Sequence, residues 1–226
     1  GQDAGFSSSR ESIADFGRVL SEYVDAIVCR SKAHATIQRL AEVSSVPVIN
    51  GLSDEAHPCQ ALADVYTLRQ EVGRVKGLTM AFVGDGNNVA KSLAVVCGLL
   101  GMRFVLAAPQ KYQFDAAFRS HLKSILPAAE IVETTDPVAA VQNAAVVYTD
   151  VWTSMGQEAE RQERLAAFAP YQVNAALMAH CPAALFMHCL PARRGEEVTD
   201  EVIDGERSVV VTLSLIHISE PTRRTP

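Results

Sequence analysis

Apolar residues in this chain fall into short unbroken blocks and longer stretches with a repeat of three or four, and the two kinds alternate. Ile13, Phe16, Leu20 and Tyr23 have the helical repeat and predict a helix over 11–23, with Ser9 or Ser12 as its cap. The block Ala26 to Cys29 reads as a buried strand, residues 33–43 as a helix, and Val46 to Ile49 as a second strand. A loop is expected over 50–54. A long helix should follow from Pro58, because proline suits the first helical position and Leu62, Val65 and Tyr66 continue the repeat. A polar stretch around Gly73 predicts a domain boundary.

Beyond it the alternation restarts. Strands are expected at Leu78 to Val83, Phe104 to Ala108, Ile131 to Val132, Ala145 to Tyr148 and Ala184 to Met187. Helices are expected at Val89 to Leu100, Phe114 to Ile125, Pro137 to Ala144, Glu158 to Phe168 and Val173 to Ala179. Strand and helix in strict turn define an α/β class, doubly wound parallel sheets with helices on both faces.

Composition narrows the function classes. The 226 residues are 48% hydrophobic and 20% charged, which fits a globular chain of one large or two small domains. A net charge of −6 gives no basic footprint, so a nucleic-acid partner is not expected and a small molecule is. The five cysteines lack CxxC spacing, which predicts reduced thiols, neither a disulfide framework nor a structural metal site, and a cytoplasmic setting. No apolar run is long enough for a membrane helix.

Polar residues collect where strands are expected to end, the position at which open parallel sheets bind ligands. Arg30 closes the first strand, and reads either as a ligand-binding cation or as a surface charge. His57-Pro58-Cys59-Gln60 opens the long helix at an end that attracts anions, so His57 and Gln60 are candidates to grip a carbonyl or phosphate oxygen; an ordinary cap is the alternative. Gly84-Asp85-Gly86-Asn87-Asn88 resembles half of a dinucleotide fingerprint, but lacks its third glycine and its downstream acid, which disfavours a nucleotide. It could present Asn87 or Asn88 to a ligand or merely cap a helix. Asp150 ends a strand before the only tryptophan and the Ser154-Met155-Gly156 loop, and suits an ammonium group or a helix cap. His188-Cys189-Leu190-Pro191 ends the last strand, with Pro191 expected to hold Leu190 extended; Cys189 is a reactive thiolate if a cation lies close, and otherwise a small buried hydrophobe.

Taken together, HPCQ, GDGNN, DVWTSMGQE and HCLP resemble the ornithine carbamoyltransferase family in order and approximate spacing, from about Ser12 to Val210. HPxQ is shared with aspartate carbamoyltransferases, whereas Ser154-Met155-Gly156 and Cys189 point to ornithine. The resemblance implies a carbamoyl-phosphate domain, here truncated, over residues 1–73, an amino-acid domain over 74–210, and a homotrimer without a cofactor. It implies carbamoyl phosphate bound at Arg30, His57, Gln60, Cys189 and Leu190. It implies L-ornithine bound at Asn88, Asp150, Ser154, Met155 and Cys189, with Cys189, His57 and Arg30 catalytic. The family's phosphate loop and its final arginine-bearing segment have no counterpart here, so low activity of this chain alone is expected. Residues 211–226 read as a tail foreign to the family. Two other readings remain: a carbamoyltransferase for putrescine, lysine or an acylated ornithine, and a non-catalytic amino-acid-binding module.

Overall fold

The computed structural model describes residues 12–153 and 158–211. Ser154, Met155 and Gly156, the possible cap Ser9 and most of the tail lie outside the described residues. The chain divides into two compact units, Gly1–Cys59 and Gln60–Pro226.

In the first unit, α1 (Ile13–Ser21) starts at Ser12, whose hydroxyl accepts from the Asp15 N–H. It is followed by β1 (Ile27–Arg30), α2 (His34–Val43) and β2 (Val48–Leu52). The strands pair in parallel, Ile27 opposite Val48 and Arg30 opposite Leu52, with a bulge between Cys29 and Arg30. Ile27, Cys29, Ile37 and Leu40 form the core, with Ile13, Phe16 and Leu20 against it. β2 therefore runs through Asn50, Gly51 and Leu52, which the polar composition had placed in a loop. Pairing with the end of β1 supplies the backbone bonds that keep these residues extended.

The second unit begins in α3 (Pro58–Val72), which starts at the proline as expected. It continues through β3 (Thr79–Val83), α4 (Asn88–Leu99), β4 (Arg103–Ala107), α5 (Ala116–Ile125), β5 (Ile131–Thr134), α6 (Pro137–Val141) and β6 (Val146–Thr149). After these come α7 (Arg161–Phe168), α8 (Ala175–Met178), β7 (Leu185–His188) and α9 (Asp200–Ile203). The sheet is parallel throughout, in the order β5-β4-β3-β6-β7. Chain direction across the sheet reverses between β3 and β6, so the crevice outside their carboxyl ends is its topological switch point.

Alternate strand residues feed two cores. Met80, Phe82, Phe104 and Tyr148 pack with Ala61, Val65 and Leu68 of α3 and Leu93 and Cys97 of α4. Ala81, Val83, Val105, Val147 and Phe186 pack with Val141, Phe168, Leu177 and Val202 on the opposite face. The helix expected over 173–179 is shorter than its apolar pattern, because the Val173 N–H donates to the Glu197 carbonyl and Val173 pairs with Val198. Asn174 caps what remains. The helix expected from Phe114 likewise starts later: Phe114 N–H donates to Glu133, and Asp115 caps α5.

Candidate active site

In the first unit, Arg30 stands exposed at the carboxyl end of β1. The segment between β2 and His57 is shaped by Ser53, a fully buried hydroxyl to which sequence reasoning assigned nothing. Its oxygen accepts from the Ala56 N–H at 3.1 Å and lies 2.8 Å from His34 Nδ1, while the Asp54 carboxylate accepts from the His34 N–H. A small hydroxyl in a polar loop carries no periodicity, so only the folded contacts reveal it. His57, partly buried, directly precedes α3.

In the second unit the site is built at the switch point. β3 runs into Gly84-Asp85-Gly86, where a side chain at Gly86 would meet the Tyr112 carbonyl and the Gln113 backbone at 3.0 Å. This close approach requires glycine, and the Gly86 N–H donates to Tyr112 O at 2.8 Å. Asn87 caps α4 through its Oδ1, which accepts from the Val89 and Ala90 N–H groups. Its Nδ2 then donates to Asp150 Oδ2 at 2.8 Å. Asn87 thus tethers the acid; Asn88 is the first residue of α4, with its Oδ1 near its neighbour's N–H.

Asp150 follows β6, which is locked to β3 by the Thr149 hydroxyl donating to the Val83 carbonyl at 2.6 Å. The acid is buried, and its Oδ1 accepts from the Cys189 Sγ–H at 3.2 Å and from the Val151 N–H at 2.8 Å. Among the described residues it caps no helix. Trp152, next along, is a core residue stacked on Phe168 with centroids 5.8 Å apart. Arg164 reaches under this segment, donating to the Trp152 carbonyl at 3.0 Å and to Asp85 Oδ2 at 2.7 Å. Trp152 is thereby tied to the loop that follows β3.

β7 delivers His188 and Cys189. The Leu190 N–H donates to His188 Nδ1 at 2.8 Å, which leaves Nε2–H to donate to Glu197 Oε1 at 3.1 Å. Glu197 also accepts from the Arg193 N–H at 2.6 Å and is fully buried, another residue the sequence did not single out. These bonds fold the chain back after Cys189. Leu190 consequently takes φ +52°, in the left-handed region, and not the extended conformation expected before a proline. Burial, followed by the charge of Asp150, pushes the Cys189 thiol well above the ordinary cysteine range. It stands as a protonated hydrogen-bond donor to an acid, and among the described residues no cation acts on it to make it the thiolate considered from sequence.

Asp150, His188 and Cys189 offer ligand atoms within 4.8 Å of one another. To bind a cation there, the imidazole would have to release Leu190 or Glu197 and the thiol its proton, so the set is better arranged for hydrogen bonding than for metal ligation. Gln60 is buried, and its Nε2 donates to Asp64 Oδ1 at 2.8 Å, which makes it part of the core of α3 rather than a solvated first-turn residue.

A parallel sheet with an acid, an amide, a thiol and an imidazole gathered at its switch point defines an α/β domain equipped to hold a small polar molecule. Two family models match the chain: the aspartate/ornithine carbamoyltransferase Asp/Orn binding domain over residues 76–213, and the carbamoyl-P binding domain of the same proteins over residues 2–70. The chain belongs to the aspartate/ornithine carbamoyltransferase family. It is 51% identical over 203 residues to the ornithine carbamoyltransferase of Bacillus subtilis, and 52% identical over 203 residues to that of Methanopyrus kandleri. Each match covers 88% of this chain; the chain spans 64% of the length of the first relative and 65% of the second. The ornithine carbamoyltransferase structure from Pyrococcus furiosus superposes with a TM-score of 0.88 at 49% identity, covering 94% of this chain and 68% of that one.

Proposed function

We propose that this chain serves the transfer of the carbamoyl group of carbamoyl phosphate to the side-chain amine of L-ornithine, giving citrulline and phosphate. The observation that carries this reading is the Asn87–Asp150–Cys189 set at the switch point, in a chain about half identical to proteins named for that reaction. Asp150 holds the substrate's α-ammonium, with Asn88, Ser154 and Met155 completing the ornithine contacts. Arg30, His57 and Gln60 bind carbamoyl phosphate, the first two stabilising negative charge that develops on its oxygens. Leu190 and Cys189 bracket the reacting amine and the carbamoyl group.

The attacking amine must be neutral, and a side-chain amine of this kind has a pKa of roughly 10 in water. Burial at the site disfavours its charged form. Because Cys189 already carries a proton directed at Asp150, it acts by positioning: its sulfur lone pairs accept from the amine while its S–H stays on the acid. Assignment of residues 1–73 to the carbamoyl-phosphate part and 74–210 to the ornithine part belongs to the same reading, as do a homotrimeric assembly, arginine biosynthesis and a cytoplasmic setting. All five cysteines are free, which fits the last.

The test is citrulline formation from carbamoyl phosphate and ornithine, by this chain and by a chain extended to its relatives' full length, with putrescine as the competing amine. Citrulline formed in preference to carbamoylputrescine supports the reading. A folded protein that carbamoylates putrescine faster, or neither amine in either form, overturns it.

A further inference from the structure

A second carboxyl lies in the core of the same unit as Cys189. Asp64 of α3 is fully buried, with Oδ1 accepting from Gln60 Nε2 at 2.8 Å. Its Oδ2 and the Tyr148 hydroxyl oxygen are both buried and neither makes a hydrogen bond among the described residues, yet each lies close enough to shift the other's titration. Tyr148 also faces Cys189, whose S–H donates to Asp150. The titratable groups around Asp64 are Tyr148 and Asp150 from β6 and its continuation, Cys97 from α4, and Cys189 after β7. All four are acids; the Gln60 amide and the Tyr148 hydroxyl offset part of the desolvation cost of a charge on Asp64, and burial outweighs both.

A neutral Asp64 gives the string one direction. With the proton on Oδ2, Oδ1 is the carbonyl oxygen that receives the Gln60 amide, and Oδ2–H donates toward the phenol oxygen. The phenol O–H is then free to turn to Cys189 Sγ, and the thiol proton goes to Asp150. The Gln60 amide is oriented by the same contact, one of its two N–H groups donating to Asp64 and its Oε1 left as an acceptor.

We propose that Asp64 is a positioning residue, which acts through Tyr148 on the Cys189 thiol and through its own bond on the Gln60 amide. The proposal rests on the reading above that Gln60 and Cys189 touch the substrates. Burial pushes the Asp64 carboxyl up to about 8. Its proton is therefore in place at neutral pH and lost in mild alkali, where the new charge raises Cys189 further.

The experiment is alkylation of Cys189 by iodoacetamide between about pH 7 and 10, located by peptide mass spectrometry, with folding checked by circular dichroism. Asp64→Asn removes the charge that Asp64 gains in alkali. The variant should alkylate at least about threefold faster near pH 9, the change expected for a downward shift of roughly half a pH unit. A purely structural role would alter stability and leave that profile in place, so superimposable profiles from folded proteins overturn the proposal. If Asp64→Asn does not fold, Tyr148→Phe decides: slower alkylation upholds the string and an unchanged rate overturns it. Citrulline formation measured with the same substitutions in the chain extended to its relatives' full length separates the two claims. A shifted profile without citrulline leaves Asp64 acting on the thiol and sinks the reaction; citrulline with an unshifted profile does the reverse.

Discussion

In the first unit, β1 alternates buried and exposed residues, leaving Val28 at 70% exposure; in the second, Val146, Val147, Tyr148 and Thr149 of β6 are all at 0%. Val28 and Val147 are the same residue in the same kind of parallel strand. Val147 has helices over both faces of its sheet, whereas the core of the first unit gathers on one face of two strands. Apolar burial at about 25 cal/mol per Å² is the main source of stability, so side chains of equal hydrophobicity contribute very differently in the two places. The contrast extends to charge. Asp64 sits in the second unit's core with acids for neighbours, while Asp115, Glu163 and Asp204 lie at the surface against Lys91, Lys111 and Arg194, which hold their carboxyls below the usual range.

The largest expected effect breaks the double-sided core. Phe82→Ala removes a fully buried ring stacked on Tyr148 at 5.5 Å and should cost about 3–5 kcal/mol in urea unfolding. Trp152 is the only tryptophan and is buried in the second unit, so its fluorescence reports that unit's unfolding.

Next comes the pH dependence of the same transition. Asp64 titrates at 3.8 when exposed and at about 8 when folded, so between those values the folded chain holds a proton that the unfolded chain has released. Its contribution is full below the first value and declines as pH rises through the second, by up to about 1.4 kcal/mol per pH unit. Asp64→Asn should flatten that decline, and an unchanged slope would show that the carboxyl folds ionised. The exposed carboxylates act in the opposite sense, losing their contribution on acidification, and salt should weaken that loss.

A smaller effect tests the turn after β7. Glu197→Gln keeps the shape but weakens the acceptor shared by His188 Nε2–H and the Arg193 N–H, with an expected cost of about 1–3 kcal/mol and faster amide exchange at Leu190. The smallest is Val28→Thr, expected within about 0.5 kcal/mol by thermal unfolding followed with circular dichroism. A cost near that of Phe82→Ala would mean that something covers this face of the first unit.

Element order was legible because period-two and period-three-to-four patterns reflect only which side of each element meets a core. The starts of α1 and α3 were legible for a local reason, a serine accepting its own helix's N–H and a proline that needs no donor. Sequence reasoning also selected Asp150 and Cys189, polar residues following apolar strands, and the hydrogen bond that joins them links positions 39 apart in the chain. It left Asn87 and Asn88 both open as ligand-facing amides, because spacing does not say which of them reaches back across the switch point; the Asn87 amide does. It passed over Glu197, Ser53 and Asp64, since a polar residue in a loop or helix looks the same whether solvent or a buried partner satisfies it.

The sequence by itself therefore determined the alternation of strands and helices, the places where chemistry gathers and the family, because these depend on neighbours along the chain. Only the tertiary structure decided the left-handed turn at Leu190, the protonated thiol of Cys189 held on Asp150, and the buried carboxyl of Asp64. Those follow from what the folded chain removes from water and sets opposite each group, and a buried acid whose titratable neighbours are themselves acids keeps its proton.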